Sequence, residues 1–255
     1  MIERFRRYWR IFGTGLSLFS IGLGGVLIFP LLNIFIPARR TRAVMARRFI
    51  RITFRAFVAF IHAFGVLRYE IIGLERLERQ GMLILANHPT LIDVLFLMAF
   101  VKHADCIVKN GLWRNPFMHA PVRAAGYIRN DYGTGLMEKC IASVRGGGNL
   151  IIFPEGTRTP ANGSIALKRG AANIAVRAGC NVTPVFIWCT PRFLGKGTKW
   201  WQVPAQPVSF KIEVKEDIDI RPFIMAAGSP AMAARNLTAH LQDYFSQEST
   251  RYAAA

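Results

Sequence analysis

Acidic residues are scarce. The 255-residue chain has 15 Asp and Glu against 33 Lys and Arg, a formal net charge of +18. A surface so short of carboxylates attracts anions, and nucleic acid and an anionic lipid surface are the two broad partner classes it admits. Cysteine is also sparse. The four thiols, Cys106, Cys140, Cys180 and Cys189, form no CxxC pair and no His/Cys spacing of a zinc site. That excludes a disulfide framework and a zinc module, and fits reduced, buried thiols in a cytosol-facing protein. No GxSxG occurs, so no serine sits in a nucleophile elbow. There is no internal repeat, and no nucleic-acid-binding motif is recognisable.

Charge is missing altogether from Ile11 to Ile36, 26 residues flanked on both sides by arginine. A membrane span needs about 20 apolar residues. The run is too long for a signal-peptide core and lacks a clear small-residue cleavage pattern. Residues 1–68 carry 12 Arg and one acid, Glu3, a local charge of +11 beside the most apolar part of the chain. This mixture points to a membrane surface rather than nucleic acid. Two placements are open for the run. It could cross the bilayer, but both flanks are basic, which the positive-inside rule does not favour. Alternatively it enters one leaflet and stays there, bending at Gly22, Gly24, Gly25 and Pro30, with both flanks on one anionic surface. The second is the preferred reading. Residues 38–64 extend it as an amphipathic helix, with Arg47, Arg48, Arg51 and Arg55 at three- and four-residue spacing. Such a helix lies at the interface, or packs as a core helix with a solvated basic face.

From residue 69 the texture changes. Short apolar runs at 68–72, 82–86, 105–109, 126–129, 149–153, 183–188 and 209–214 read as strands. Helical patterns lie at 90–101, 114–124, 135–145, 167–178 and 230–246. The expected fold is α/β, with a mixed, largely parallel central sheet flanked by helices. The division is a membrane-anchoring segment, 1–65, and an α/β domain, 66–255.

Two stretches carry candidate chemistry. In "ILANHPTLIDVL", His88 and Asp93 would point about 140° apart if both lay within one helix. Pro89 changes this, because proline suits a first helical turn. The helix is expected to start there, leaving His88 free to fold over and meet Asp93. A carboxylate on one ring nitrogen fixes the tautomer and frees the other as a base. The plainer reading is a cap, with Asn87 at the N-cap. In "IIFPEGTRT", a buried strand breaks at Pro154 and Gly156 and presents Glu155, Thr157 and Arg158 at its carboxyl end. Ligands sit there in open α/β sheets. Arginine can grip a phosphate in bidentate fashion. The plainer reading is a surface turn with an internal Glu–Arg pair.

Together, NHPTLID (87–93) and FPEGTRT (153–159) resemble the first and third sequence blocks of the glycerolipid acyltransferases, the PlsC-like 1-acylglycerol-3-phosphate acyltransferases of HX4D type. The resemblance covers roughly residues 65–220. It implies that His88 is the general base for an acceptor hydroxyl and Asp93 its orienting partner. It implies that Glu155, Gly156, Thr157 and Arg158 bind the glycerol-phosphate head, with Lys109 near the acceptor. Thr183, Pro184 and Val185 match the block linked to the acyl side. The second block departs from the family pattern. It reads "GYIRND", with Arg129 followed, not preceded, by an acid, so Arg129 as a phosphate ligand and the identity of the acceptor both stay open. The implied partners are membrane lipids, a lysophospholipid acceptor and an acyl carrier protein or CoA thioester. No metal or other cofactor is implied, and the implied location is the cytoplasmic face of the inner membrane.

Overall fold

The computed structural model describes residues 2–253 apart from 132, 134 and 161, with side chains described from 4 to 251. Seven strands form one sheet: β1 (Leu67–Ile72), β2 (Leu83–Ala86), β3 (Ala104–Val108), β4 (Ile128–Arg129), β5 (Asn149–Ile152), β6 (Val182–Thr190) and β7 (Val208–Val214). Their order is β1-β7-β6-β2-β5-β3-β4. Neighbours are parallel except β6 and β7. The mixed, largely parallel sheet expected from the sequence is present. The central strands β2 and β5 are buried at all four positions, as parallel strands covered on both faces must be.

One face carries α2 (Arg39–Ala63), α3 (Asp93–Phe100) and α5 (His119–Ala125). Ile50, Phe57, Ile61, Phe96 and Leu97 belong to the core beneath them. The other face carries α6 (Gly135–Arg145), α7 (Gly170–Ala178) and α9 (Pro230–Ala253), with α8 (Arg221–Met225) as a short connector, while α4 (Asn110–Arg114) sits beside α5 on the first face. Cys140, Ile174, Leu237 and Phe245 belong to that second core. All four cysteines are free. Burial raises their thiols, Cys189 to about 12 and Cys180 to about 11, so they sit inert as apolar filling.

Several helix boundaries differ from expectation: α7 starts at Gly170 rather than 167, α9 runs on to Ala253 rather than 246, and two others have a local cause. The pattern at 114–124 divides into α4 and α5. Pro116 pushes Asn115 into the extended region, and the Asn115 Oδ1 then accepts from the Phe117 N–H. α3 begins at Asp93, not Pro89, for a reason that belongs to the site.

The N-terminal helix α1 (Ile2–Phe35) runs unbroken past its glycines and Pro30. Gly25 and Gly15 serve close packing, while Gly24 faces open space. A Cβ on Gly25 would lie 2.6 Å from the Phe117 carbonyl, and one on Gly15 would lie 2.9 Å from the Trp200 ring. The helix is long and apolar enough to cross a membrane by length and composition. Its outward face exposes Phe12, Leu16, Phe19, Leu23, Leu27 and Leu31. Yet it touches the α/β part near both ends. Arg10 donates to the carbonyls of Pro204 and Ala205, and Asn33 Nδ2 donates to the Ala120 carbonyl at 3.2 Å. α2 buries Ala46, Ile50, Phe57, Val58 and Ile61. It is also tied to the sheet by an ion pair, Arg47 Nη2 to Asp105 Oδ2 at 3.0 Å. Its buried stripe is that of a core helix, while Arg48 and Arg55 stay exposed.

Candidate active site

Parallel strands place their carboxyl ends on one edge of the sheet. β2 delivers Asn87 and His88 there, and its neighbour β5 delivers the turn 153–159. Asn87 does not cap a helix. Its side chain pairs with the β6 backbone, accepting from Ile187 N–H at 2.7 Å and donating to Ile187 O at 2.8 Å. This pins the chain just before His88.

The His88 peptide is held by the turn after β5. Its N–H donates to Glu155 Oε1 at 3.0 Å, with Thr159 Oγ1 at 3.3 Å. Its carbonyl accepts from the Thr159 N–H at 2.7 Å. The two sequence blocks therefore interlock through backbone. The ring stacks on Phe153, centroids 4.1 Å apart.

His88 Nδ1 meets Asp93 Oδ2 at 2.8 Å. Asp93 is fully buried, and the same oxygen accepts from the Thr90 N–H at 2.7 Å, while Oδ1 accepts from the Thr90 hydroxyl. These bonds explain the late start of α3. The Thr90 amide is drawn to a side chain rather than into a first helical turn, so residues 87–92 fold as an extended stretch and a turn. With Asp93 ionised, the Nδ1 carries the proton and Nε2 is left as the acceptor. The histidine side chain keeps 19% of its surface exposed and the aspartate none, so the open nitrogen faces out. Burial pushes the Asp93 carboxyl above the usual range, and its bonds to His88 and Thr90 partly offset this.

Glu155 is likewise raised by burial, offset in part by its bonds to Thr159 and His88. It is 6% exposed, and its carboxylate is engaged inside the protein. It makes no ion pair with Arg158, the pairing that a plain surface turn would have. Arg158 instead donates through Nη1 to the carbonyls of Leu194 at 3.0 Å and Gly195 at 2.8 Å. This fastens the 191–207 loop over the site. Gly156 and Thr157 are exposed at the tip of the turn. Gly156 has φ +68°, and a Cβ there would come within 2.8 Å of Lys168 Nζ, so that ammonium lies directly on the turn.

Lys109 follows β3 and is exposed; Arg129 ends β4. Both stand on the same edge as His88, about 10 and 14 Å away by strand spacing. Arg129 chelates Asp131, with Nε–Oδ1 at 3.0 Å, and lies over the Trp113 ring at 5.1 Å. The acid that follows it in sequence is thus its partner. Thr183, Pro184 and Val185 lie beside Ile84, Leu85 and Ala86, buried and below the dyad. Thr183 Oγ1 donates to Asp217 at 2.7 Å. The structure does not bring Thr183 to the edge that carries His88. Phe153, Thr159 and Lys168 are site residues that the sequence reading did not single out. The first two lie within the quoted motifs, and only Lys168 gave no signal.

A family model described as Acyltransferase matches residues 68–188. The chain is 25% identical over 172 residues to a 1-acyl-sn-glycerol-3-phosphate acyltransferase of Borreliella burgdorferi, covering 65% of each protein. It is 30% identical over 125 residues to one of Pseudomonas aeruginosa, covering 47% of this chain and 49% of that one. The chain thus spans about half to two thirds of the length of these relatives. Its fold is similar to the crystal structure of the 1-acyl-sn-glycerophosphate (LPA) acyltransferase PlsC from Thermotoga maritima. The TM-score is 0.68 at 20% identity, over 95% of this chain and 97% of that one.

Proposed function

We propose, from the premise that this chain belongs to the PlsC-like acyltransferase family, that it moves a fatty acyl group from a thioester to the free hydroxyl of 1-acylglycerol-3-phosphate. The observation that carries the reading is the Asp93–His88 pair at 2.8 Å, with its open nitrogen beside the 153–159 turn. The acceptor hydroxyl gives its proton to His88 Nε2 as its oxygen attacks the thioester carbonyl. The tetrahedral oxyanion collapses, the carbon–sulfur bond breaks, and the thiolate takes the proton from the imidazolium. No acyl-enzyme forms. Asp93 stabilises the imidazolium, and Glu155 with Thr159 fixes the His88 backbone. General-base assistance supplies about 10²–10⁴-fold, and positioning of the hydroxyl adds to it.

The acceptor phosphate meets the cations of the same edge: Lys109, Arg129, and the turn of Gly156 and Thr157 backed by Arg158. Val185 and its neighbours on β6 belong to the apolar floor. α1 lies in one leaflet with its exposed stripe among the acyl chains, because contacts near both of its ends hold it along the α/β part. Residues 1–65 then form the anchor, although α2 shares the domain's core. The catalytic edge faces the cytoplasmic surface of the inner membrane, where a CoA or acyl carrier protein thioester arrives. The test is a product assay by mass spectrometry, with purified protein in vesicles, a panel of lyso-lipids and both donor types. Phosphatidic acid formed from 1-acylglycerol-3-phosphate is the expected product. Lipid binding without any new acyl ester would end the proposal.

A further inference from the structure

A crevice of about 520 Å³ opens at the arginine-bearing start of α1, lined by Arg6, Trp9, Arg10, Phe64, Arg68 and their neighbours. Its lining contains three arginines and no acid. Arg6 and Arg68 are exposed. Arg10 is 8% exposed and braced by the carbonyls of Pro204 and Ala205, so its charge is fixed in place. Trp9 stacks on Phe64, centroids 5.1 Å apart and planes 8° apart, and Trp9 keeps 46% of its surface exposed. An anion with an aromatic group fits this lining. Guanidinium groups take phosphate oxygens and the indole takes a ring. The volume lies in the range of small-ligand sites.

The sheet topology says which anion. β1 is parallel to β7, and β7 is antiparallel to β6, with Thr190 opposite Ser209. The starts of β1 and β7 therefore lie on the edge where β6, β2 and β5 end. Arg68 stands three strands across from β2 and, by register, about three residues further along the strand direction, roughly 17 Å from the dyad, and on the side opposite Lys109 and Arg129. A phosphopantetheine arm equals about four or five extended residues, ~15 Å. A thioester placed at His88 thus brings its phosphates within reach of the Arg68 guanidinium at the rim of this crevice.

We propose that the crevice binds the phosphorylated nucleotide end of an acyl-CoA donor. Arg6, Arg10 and Arg68 meet its phosphates, and the Trp9 face meets its adenine. The inference rests on the acyl-transfer reading and extends it by naming the carrier. The full chain in phosphatidylcholine vesicles is assayed with acyl-CoA and with the matching acyl thioester of N-acetylcysteamine, which lacks the nucleotide. In the double variant Arg6→Gln/Arg68→Gln, the ratio of kcat/KM for acyl-CoA over the truncated donor falls at least about tenfold, the loss of one charged hydrogen bond. The charge-matched double variant Arg39→Gln/Arg40→Gln keeps the wild-type ratio. Equilibrium dialysis with CoA alone reads the site without turnover: the wild type binds and Arg6→Gln/Arg68→Gln binds at least tenfold less. An unchanged ratio, an equal fall in the Arg39/Arg40 variant, or undiminished CoA binding overturns the proposal. So does a defect that is equal for both donors and appears only when phosphatidylglycerol is added, which would make the crevice a lipid headgroup site. Absence of transfer from either donor by the wild type refutes the acyl-transfer reading, and the dialysis result still decides the site.

Discussion

Replacing Asp93 with Asn isolates what its charge does. Oδ2 accepts from a backbone N–H, that of Thr90, at 2.7 Å, and from His88 Nδ1 at 2.8 Å. A backbone donor cannot turn away, so the Asn oxygen must occupy that position. The Asn amide then donates to the Thr90 hydroxyl, which can rotate to accept. His88 keeps its tautomer and its place, and only the negative charge is gone. Two unit charges about 4 Å apart at an effective dielectric of about 20 attract by ~4 kcal/mol, which is ~10³-fold in rate at 1.36 kcal/mol per decade. That attraction exists only once the imidazole is protonated, so it acts on kcat. The expected result in steady-state assays is a fall of kcat by about 10³-fold with KM within about twofold of wild type. Thermal stability at neutral pH should rise, because folding disfavours the ionised Asp93. A kcat within threefold of wild type, or a loss carried by KM alone, would refute the reasoning.

Glu155→Gln keeps an oxygen for the His88 N–H and the Thr159 hydroxyl while removing a buried charge. Since the Glu155 carboxyl titrates above its usual range in the fold, ionisation weakens the native state progressively as pH rises from the ordinary glutamate range through the native titration; the variant should melt higher at pH 7, and the gain should shrink as pH falls below the native titration and vanish below the ordinary glutamate range. Gly156→Ala places a Cβ at φ +68° against Lys168, and should cost about 1–2 kcal/mol in denaturant unfolding and lower the transfer rate. Arg47→Ala strands Asp105, which is 4% exposed and also holds the Ser143 hydroxyl at 2.7 Å; a loss of about 3–5 kcal/mol is expected in the same assay, with α2 loosened from the sheet.

Much of this was legible because period and punctuation carry it. All seven strands lie where the short apolar runs are, since a buried parallel strand is a run of Val, Ile and Leu between breakers. His88 and Asp93 could be paired from Pro89 alone, although the helix begins four residues later than proline suggests. That start is set by Thr90 and Asp93 bonding each other, which a propensity argument does not contain. The roles of Glu155 and Arg158 were less visible. Both residues suit an anion site by type, but Glu155 bonds a backbone 67 residues earlier and Arg158 bonds carbonyls 36 residues later. Long-range partners of this kind leave no local signal. The same holds for Lys168, which reaches Gly156 only because Lys168 N–H bonds the Pro154 carbonyl at 2.9 Å. Gly22, Gly24 and Gly25 suggested bends, but α1 runs unbroken through them; Gly25 instead makes room for Phe117, and Gly15, not singled out, makes room for Trp200.

The most direct measurement is acyl transfer by His88→Ala in vesicles. The ring is held only by Asp93 and Phe153, and the His88 backbone bonds remain, so folding and vesicle binding should persist. The expected rate is at least about 10²-fold below wild type. Transfer at the wild-type rate by a folded, membrane-bound His88→Ala protein would contradict the account.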